Sequence, residues 1–327
     1  MDTPVLRLAA ACLIASSAAM LPALPAAAAY PDKPVTVVVG YGPGGGADTL
    51  ARLYAEKLSA ELGRPFVVEN KPGAGATLAA GEVARAAPDG YTLMVAPTAV
   101  FTITPNVRKV NYAPLKDFTP ISTLATGMDV VIASKALPAA SLPEFIALAK
   151  AHPGKYSFAS SGLATSTHLM GEVFKEASGL DMLHVPYKSS NDYLPDLIEG
   201  RVALAFDPVL LNQVQAGKLR FMAVVGDDRL EDRPDVGTTR EAGLDMTLAQ
   251  NRLWYGIFAP AGLPPDIAAR LAAAVGKASA DPELAKRLEA TGIRPSHTNG
   301  EAFATQIRND ADYYGGLIGK LGLKLAD

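Results

Sequence analysis

Beyond its twelfth residue the chain contains no cysteine; Cys12 is the only one among 327 residues. Everything downstream of it therefore lacks disulfides, a thiol nucleophile and any cysteine-based metal site. Histidine is scarce as well. His152, His168, His184 and His297 are scattered without an i, i+4 pair, and no acidic cluster has the layout of a calcium loop, so no metal is expected. There is no excess of positive charge, the formal net charge being −3. Neither nucleic acid nor an anionic membrane surface is thus an expected partner, and a bound anion would have to be held by local geometry. After Leu24 no stretch approaches the ~20 apolar residues that span a bilayer.

The N-terminus does carry a long apolar stretch. Arg7 precedes an Ala- and Leu-rich run from Leu8 to about Leu24, and Ala26 to Ala29 follow. A weakly positive start, an apolar stretch and a small-residue ending make a secretory signal peptide, with cleavage expected near Ala29 and Tyr30 starting the mature chain. Pro22, Pro25 and the Ala-x-Ala ending argue against a membrane anchor. Ala9-Ala10-Ala11 before Cys12 is a poor lipidation box. The roughly 300 residues that remain suffice for two domains.

Strand and helix signals alternate along those residues, which favours a parallel α/β architecture. Pro34 to Val39, Phe66 to Val68, Tyr91 to Val95, Val130 to Ser134, Tyr156 to Ala159, Leu183 to Val185, Val202 to Phe206, Phe221 to Val225 and Trp254 to Phe258 read as strands. Asp48 to Leu62 has apolar residues at helical spacing and ends at Gly63, a natural C-cap. Ser141 with Glu144 is a capping-box signature. Asp227 to Asp235 reads as a solvated loop, and the tail from Pro265 as two or three helices. Two strand-like crossings, near Thr126–Asp129 and Leu248–Leu253, divide the chain into residues 30–128 plus 250–327 as a first lobe and 129–249 as a second. Paired crossings suit a hinge.

The sharpest motif is Gly40-Tyr41-Gly42-Pro43-Gly44-Gly45-Gly46-Ala47-Asp48, between a strand and a helix. Glycines expose backbone N–H groups, and the positive end of the helix adds to them, which makes a main-chain anion site. A second loop, Asn70 to Gly75 with Gly73 and Ala74, has the same placement at the carboxyl edge of the sheet. The pattern Gly42-x-Gly44-x-x-Ala47, with Glu69 ending the next strand, also matches a degenerate dinucleotide fingerprint. Export and the Asp48 charge weigh against that reading, and no Lys-Ser or Lys-Thr completes a P-loop. Asp48 itself is either a ligand contact or a charge that stabilises the helix start. In the second lobe, Ser160 to His168 joins a strand to a helix and offers the hydroxyls of Ser160, Ser161 and Thr165. His168 with Ser161 invites a hydrolase reading, but there is no Gly-x-Ser-x-Gly elbow. Tyr187, Lys188 and Ser189 form a further loop; Tyr187 either closes over a ligand or packs, and Lys188 either pairs with a carboxylate or is solvated. Asp207 either accepts a ligand hydrogen bond or caps the helix after Pro208. Thr98, just past the strand Tyr91 to Val95, completes the candidate contacts.

These residues in this order resemble the Bug-type substrate-binding proteins of tripartite tricarboxylate transporters. The resemblance rests on Tyr30-Pro-x-Lys-Pro34, Pro43 to Asp48 with Ala51-Arg52, Val68 to Gly75, Lys116 to Ile121, Ser160 to Gly162 with Thr165 and His168, His184 to Lys188, and the Asp196-Leu, Gly200 and Phe206-Asp207 series. It departs at Lys188-Ser189, where the family usually has Lys-Gly, and at Gly237 to Glu241. Asn191-Asp192-Tyr193 is also unusual beside a pocket. The resemblance implies a two-lobed α/β periplasmic binding protein of the type II, Venus flytrap kind, with two inter-lobe crossings and no cofactor. It also implies an organic acid held by the two glycine loops, the Ser160–Thr165 loop, the loop after Tyr187 and the Asp207 region. The expected role is that of a monomeric, periplasmic, non-enzymatic receptor that passes a mono-, di- or tricarboxylate to membrane permease subunits. A sensing subunit and an exported serine hydrolase built on Ser161 and His168 are the alternatives.

Overall fold

The apolar run Val35–Val39 (β1) is buried along its length, as a central strand requires. It pairs in parallel with Phe66–Asn70 (β2) and Thr92–Pro97 (β3). Between β1 and β2 lies α1 (Gly46–Leu62), which ends where Gly63 turns left-handed at φ 72° and donates its N–H to the Ser59 carbonyl. The structure, a computed structural model, describes residues 30–230, 233–246, 253–289 and 292–323. The expected signal peptide and most of the second expected crossing lie outside the described residues.

Two sheets form. The first has six strands in the order β11-β4-β10-β3-β1-β2, with β4 at Phe118–Gly127, β10 at Leu253–Pro260 and β11 at Ile293–Pro295. The second has five in the order β7-β6-β8-β5-β9, with β5 at Val130–Ser134, β6 at Ser157–Ser160, β7 at Leu183–Pro186, β8 at Leu204–Ala205 and β9 at Leu219–Val224. The alternation of strands and helices predicts parallel sheets, and here the structure corrects it. β10 runs antiparallel to both β3 and β4, and β5 antiparallel to both β8 and β9. The reason is topological. The strands of each βα series end at the cleft, whereas β5 and β10 arrive from the opposite sheet and therefore start there.

β4 passes to β5 through Met128 and Asp129. Gly127 at the end of β4 lies opposite Leu253 at the start of β10, so the outgoing and returning strands are neighbours. The apolar core follows the sheets, with one cluster around β1, β3, β4 and β10 and two more on either side of β5, β6 and β8.

The tail holds three helices, Pro265–Ser279, Pro282–Glu289 and Gly300–Leu321, and the short strand β11, which pattern alone did not suggest. The last helix is not confined to one lobe. Phe303 and Ile307 pack in the first core, Tyr314, Leu317 and Ile318 in the second. Each such buried side chain contributes about 1.5–3 kcal/mol. Trp254 ties this helix to β10, donating Nε1–H to Asp310 Oδ2 at 2.8 Å and meeting Phe303 edge-on. Among the described residues no helix is long and apolar enough to cross a membrane.

Candidate functional site

The glycine loop after β1 is held from inside by Asp48, which is 2% exposed. Its carboxylate accepts from the Gly44 N–H at 2.8 Å, from Arg52 Nε at 3.0 Å and from Asn70 Nδ2 at 2.8 Å. Burial pushes its pKa up, but Arg52, the Gly44 N–H and Asn70 outweigh burial and hold it below the usual value. Asp48 thus shapes the loop and does not line the cleft. This arrangement also disposes of the dinucleotide pattern. The Gly44 donor is taken, and Glu69 is exposed and pairs with Lys71 at 3.3 Å. The loop depends on glycine for close approach: a Cβ on Gly46 would stand 2.6 Å from Val209 Cγ1 of the second lobe.

The second lobe meets this loop with three short connections. At the end of β6, Ser160 is fully buried and its Oγ lies 2.6 Å from His184 Nε2. The His184 ring stacks on His168 with centroids 4.0 Å apart. His168 Nδ1 accepts the Ala164 N–H at 3.1 Å, which fixes that nitrogen as the unprotonated one. Burial lowers the pKa of both rings, and the neighbouring His168 and Lys175 help to bring His184 down to about 3. The stack is neutral and clamps the loop from behind. Ser161 bonds Thr167, not His168, so the pair required by the hydrolase reading does not form. Ser160 does meet a histidine, but burial leaves that imidazole a weak base.

Between the lobes lies a chamber of about 50 Å³, walled by Tyr41, Gly45, Gly46, Ala47 and Pro97 from one side and by Ser161, Thr165–Thr167, Ser189, Ser190 and Asp207 from the other. Asp129 and Tyr255, at the crossings, close its base. Three helix starts converge here: α1, α6 (Ser166–Ser178, the sixth α-helix among the described residues) and α7 (Ser190–Ile198). First-turn N–H groups have no acceptor within their own helix. Gly45 has no side chain to cap α1, and Ser189 spends its hydroxyl on Asp192 at 2.8 Å and leaves the start of α7 uncapped. Thr165 caps only the His168 N–H of α6. Each helix start carries about half a positive charge. Among the described residues lining this chamber there is no Lys, Arg or His. Two buried hydroxyl oxygens on its wall, Tyr41 Oη and Ser166 Oγ, have no hydrogen-bond partner among the described residues. Such groups are costly unless something fills the chamber and bonds them.

Tyr41 and Ser161 also line a second chamber of about 230 Å³, bounded by Gly40, Gly73–Ala76, Arg108, Gly162, Leu163 and Pro186–Lys188. Ala74 and Ala76 there hold φ 49° and 72°, a left-handed strain uncommon for residues with a Cβ. The lobes touch around both chambers. Thr104 Oγ1 donates to the Ala164 carbonyl at 3.0 Å, and Asn191 Nδ2 reaches the Pro43 carbonyl at 3.5 Å.

Of the expected contacts, Tyr41, Gly45, Ser161, Thr165, Ser189 and Asp207 surround the inner chamber, and Gly73, Ala74 and Tyr187 the outer. The rest sit behind them. Thr98 is buried and bonds both the carbonyl and the N–H of Trp254, so it ties β3 to β10. His168 and Ser160 form the clamp already described, Gly44 faces a separate crevice toward Asn191, and Pro43 offers only its carbonyl to Asn191. Asp207 also caps the turn after it, accepting from Val209 N–H at 3.2 Å, from Ser190 at 2.5 Å and from Tyr193 at 2.7 Å, while burial raises its pKa. Asp129, Tyr255 and Arg108 were not foreseen, whereas Gly46, Ala47, Ser166 and Thr167 lie inside the glycine and hydroxyl loops read from the sequence but were not singled out within them.

Comparison with known proteins places this geometry. Residues 50–323 match the model of the tripartite tricarboxylate transporter family receptor. Periplasmic binding protein BugD superposes with a TM-score of 0.85 at 31% identity, over 90% of this chain and 99% of that one. Rpa4515 of R. palustris, solved with adipate, does so with 0.85 at 29% identity, over 90% and 99%. MatC of Rhodopseudomonas palustris, with bound malate, gives 0.83 at 32% identity, over 88% and 100%. The two-lobed α/β fold is that of these solute-binding proteins, and the chain belongs to the tripartite tricarboxylate transporter receptor family.

Proposed function

We propose that this protein is an exported receptor that binds a small organic carboxylate in the inner chamber and hands it to a membrane permease. The observation that carries the proposal is the convergence of three helix starts on one chamber without a basic side chain. Each offers about half a positive charge and first-turn N–H donors, on a wall that also carries the carboxyl groups of Asp129 and Asp207. The hydroxyls of Tyr41 and Ser166 supply further donors on opposite lobes. Such a grip favours closure, because it is complete only when both lobes contribute. The two relatives solved with adipate and malate hold carboxylates. Binding without turnover fits an inventory of donors that has no activated nucleophile. The signal-peptide pattern supports export to the periplasm, and the family supports a permease partner. A thermal-shift panel of mono-, di- and tricarboxylates tests the proposal. At least one acid should raise the melting temperature progressively with concentration, as mass action requires. A flat response across the whole panel would overturn it.

A further inference from the structure

We infer that the lobes part at one edge of the cleft and pivot at the other, and that Asn191 is the latch on the edge that parts. The inference goes beyond the carboxylate reading and holds whatever ligand the cleft takes. The two edges are built differently. At one of them a buried apolar core runs from lobe to lobe. Ala99, Ile103 and Val107, on and between the helices Thr98–Thr102 and Thr104–Val107 that follow β3, belong to the same cluster as Leu169, Met170 and Val173 of α6. Tyr314, Leu317 and Ile318 of the last helix complete it. Thr104, itself fully buried, adds its bond to the Ala164 carbonyl. Pulling this edge apart would expose all of these side chains to water, which the hydrophobic effect opposes.

At the glycine loop the lobes touch without a shared core. Side chains of the second lobe rest there on bare backbone of the first. A Cβ on Gly42 would lie 3.4 Å from Ser189 Cβ, and one on Gly45 3.6 Å from it. The Asn191 amide occupies the space that a Cβ on Gly44 would need. Among the described residues the loop and the second lobe share one hydrogen bond, the exposed one from Asn191 Nδ2 to the Pro43 carbonyl at 3.5 Å. A crevice of about 70 Å³ lies beside it, bordered by Gly44 and Thr49 on one lobe and by Asn191 and Asn212 on the other. Such an edge parts at little cost, because water takes over the polar groups as they separate. Asn191, unusual beside a pocket by sequence, thereby acquires a task. It fills the notch over Gly44 and bonds across the cleft without lining the inner chamber. Its neighbour Ser190 does line that chamber, so releasing the latch draws the start of α7 off the site. Asn191 therefore sets the population of the closed form, and through it the affinity, without touching the ligand.

Distances between paired spin labels test this, since beyond Cys12 the chain has no cysteine of its own. Exposed positions of the mature protein take the labels. Ala60→Cys on α1 with Ala216→Cys after the helix Leu211–Gln215 spans the glycine edge, and Glu301→Cys on the last helix with Glu176→Cys on α6 spans the packed edge. Without added acid the first pair should show a closed and an open distance, the second pair a single one. Asn191→Ala should lower the closed-to-open ratio about threefold or more. Asn191→Asp, which keeps the shape but turns an acceptor toward the Pro43 carbonyl, should lower it at least as far. Asn212→Ala, on the same crevice, should leave it unchanged. A glycine-edge distribution that neither Asn191 variant alters, a packed-edge pair that spreads as widely as the first, or an Asn212→Ala shift as large as that of Asn191→Ala would overturn the inference. Malate and adipate then test the other reading separately. If neither these nor any acid of the thermal-shift panel gathers the first pair into its closed distance, the carboxylate reading fails while the comparison of the two edges stands.

Discussion

The inner and outer chambers share two residues, Tyr41 and Ser161, and little else. The inner one is walled by backbone N–H groups, hydroxyls and two buried carboxyls. The outer one is wider and is bordered by strained loop backbone on one lobe and by one basic side chain from each lobe, Arg108 and Lys188. The contrast is between two kinds of polar lining. Helix starts are rigid and carry no side-chain entropy to lose, so they suit a group that every ligand shares. Long basic side chains adapt and are screened by salt, so they suit a group that varies.

The largest effect should come from putting a charge into the inner chamber. Gly45 has an ordinary extended backbone, and a Cβ on it would sit 3.6 Å from its nearest neighbours, so Gly45→Asp should fold. The added carboxylate should weaken acid binding about 100-fold or more, because like-charge juxtaposition costs several kcal/mol. Titration calorimetry with the melting curve of the free variant checks both halves. Next comes the wedge. Gly46→Ala brings a methyl against Val209 of the opposite lobe and should cost about 1–3 kcal/mol of closure. The reading is a weaker Kd with a slower association rate, and an unchanged Kd would mean the lobes need not approach this closely.

A smaller change separates binding from folding. Tyr41→Phe removes a buried hydroxyl with no partner among the described residues, so the free protein should melt at the same temperature or higher. Acid affinity should nevertheless fall by about 1 kcal/mol, roughly fivefold, measured by calorimetry. A variant that loses stability and keeps affinity would place that hydroxyl in the core instead of the site.

The smallest effect concerns pH. The His168–His184 stack is neutral when folded, with pKa values below the unfolded value of 6.5. Its contribution is therefore full above about pH 6.5 and is lost progressively as pH falls toward 3, since the unfolded state takes up the protons first. Asp207, raised by burial, works in the opposite direction. Melting temperature followed from pH 7 to 4 should decline less steeply in His184→Gln than in the wild type.

The loops that border the cleft were legible because glycine and hydroxyl loops between strands and helices report a local geometry. Val130–Ser134 and the Ser141 cap on the helix Leu142–Lys150 were read directly, since burial and capping are local too. Strand direction was not legible. A buried strand is an apolar run whether it is parallel or antiparallel, so β5 and β10 gave no sign of reversing. The edge strand β11 is too short for periodicity to register, while β8 falls within the stretch Val202 to Phe206 that reads as a strand. Site residues supplied by the crossings, Asp129 and Tyr255, are apolar-flanked positions that only the joining of the sheets brings to the cleft. Arg108 is one cation among many in the sequence, and its place on the outer chamber depends on how the helix Thr104–Val107 meets the second lobe. Asp48 was singled out correctly as special, but its bonds turn it toward Arg52 and Asn70, which local pattern cannot decide.

The central claim is that one carboxylate rests on the three helix starts of the inner chamber. A crystal structure with a bound acid tests it most directly. The account predicts carboxylate oxygens within hydrogen-bond distance of first-turn N–H groups at Gly46–Ala47, Ser166–Thr167 and Ser190, with Tyr41 Oη and Ser166 Oγ newly bonded. An acid group lodged elsewhere, with those N–H groups still turned to water, would contradict it.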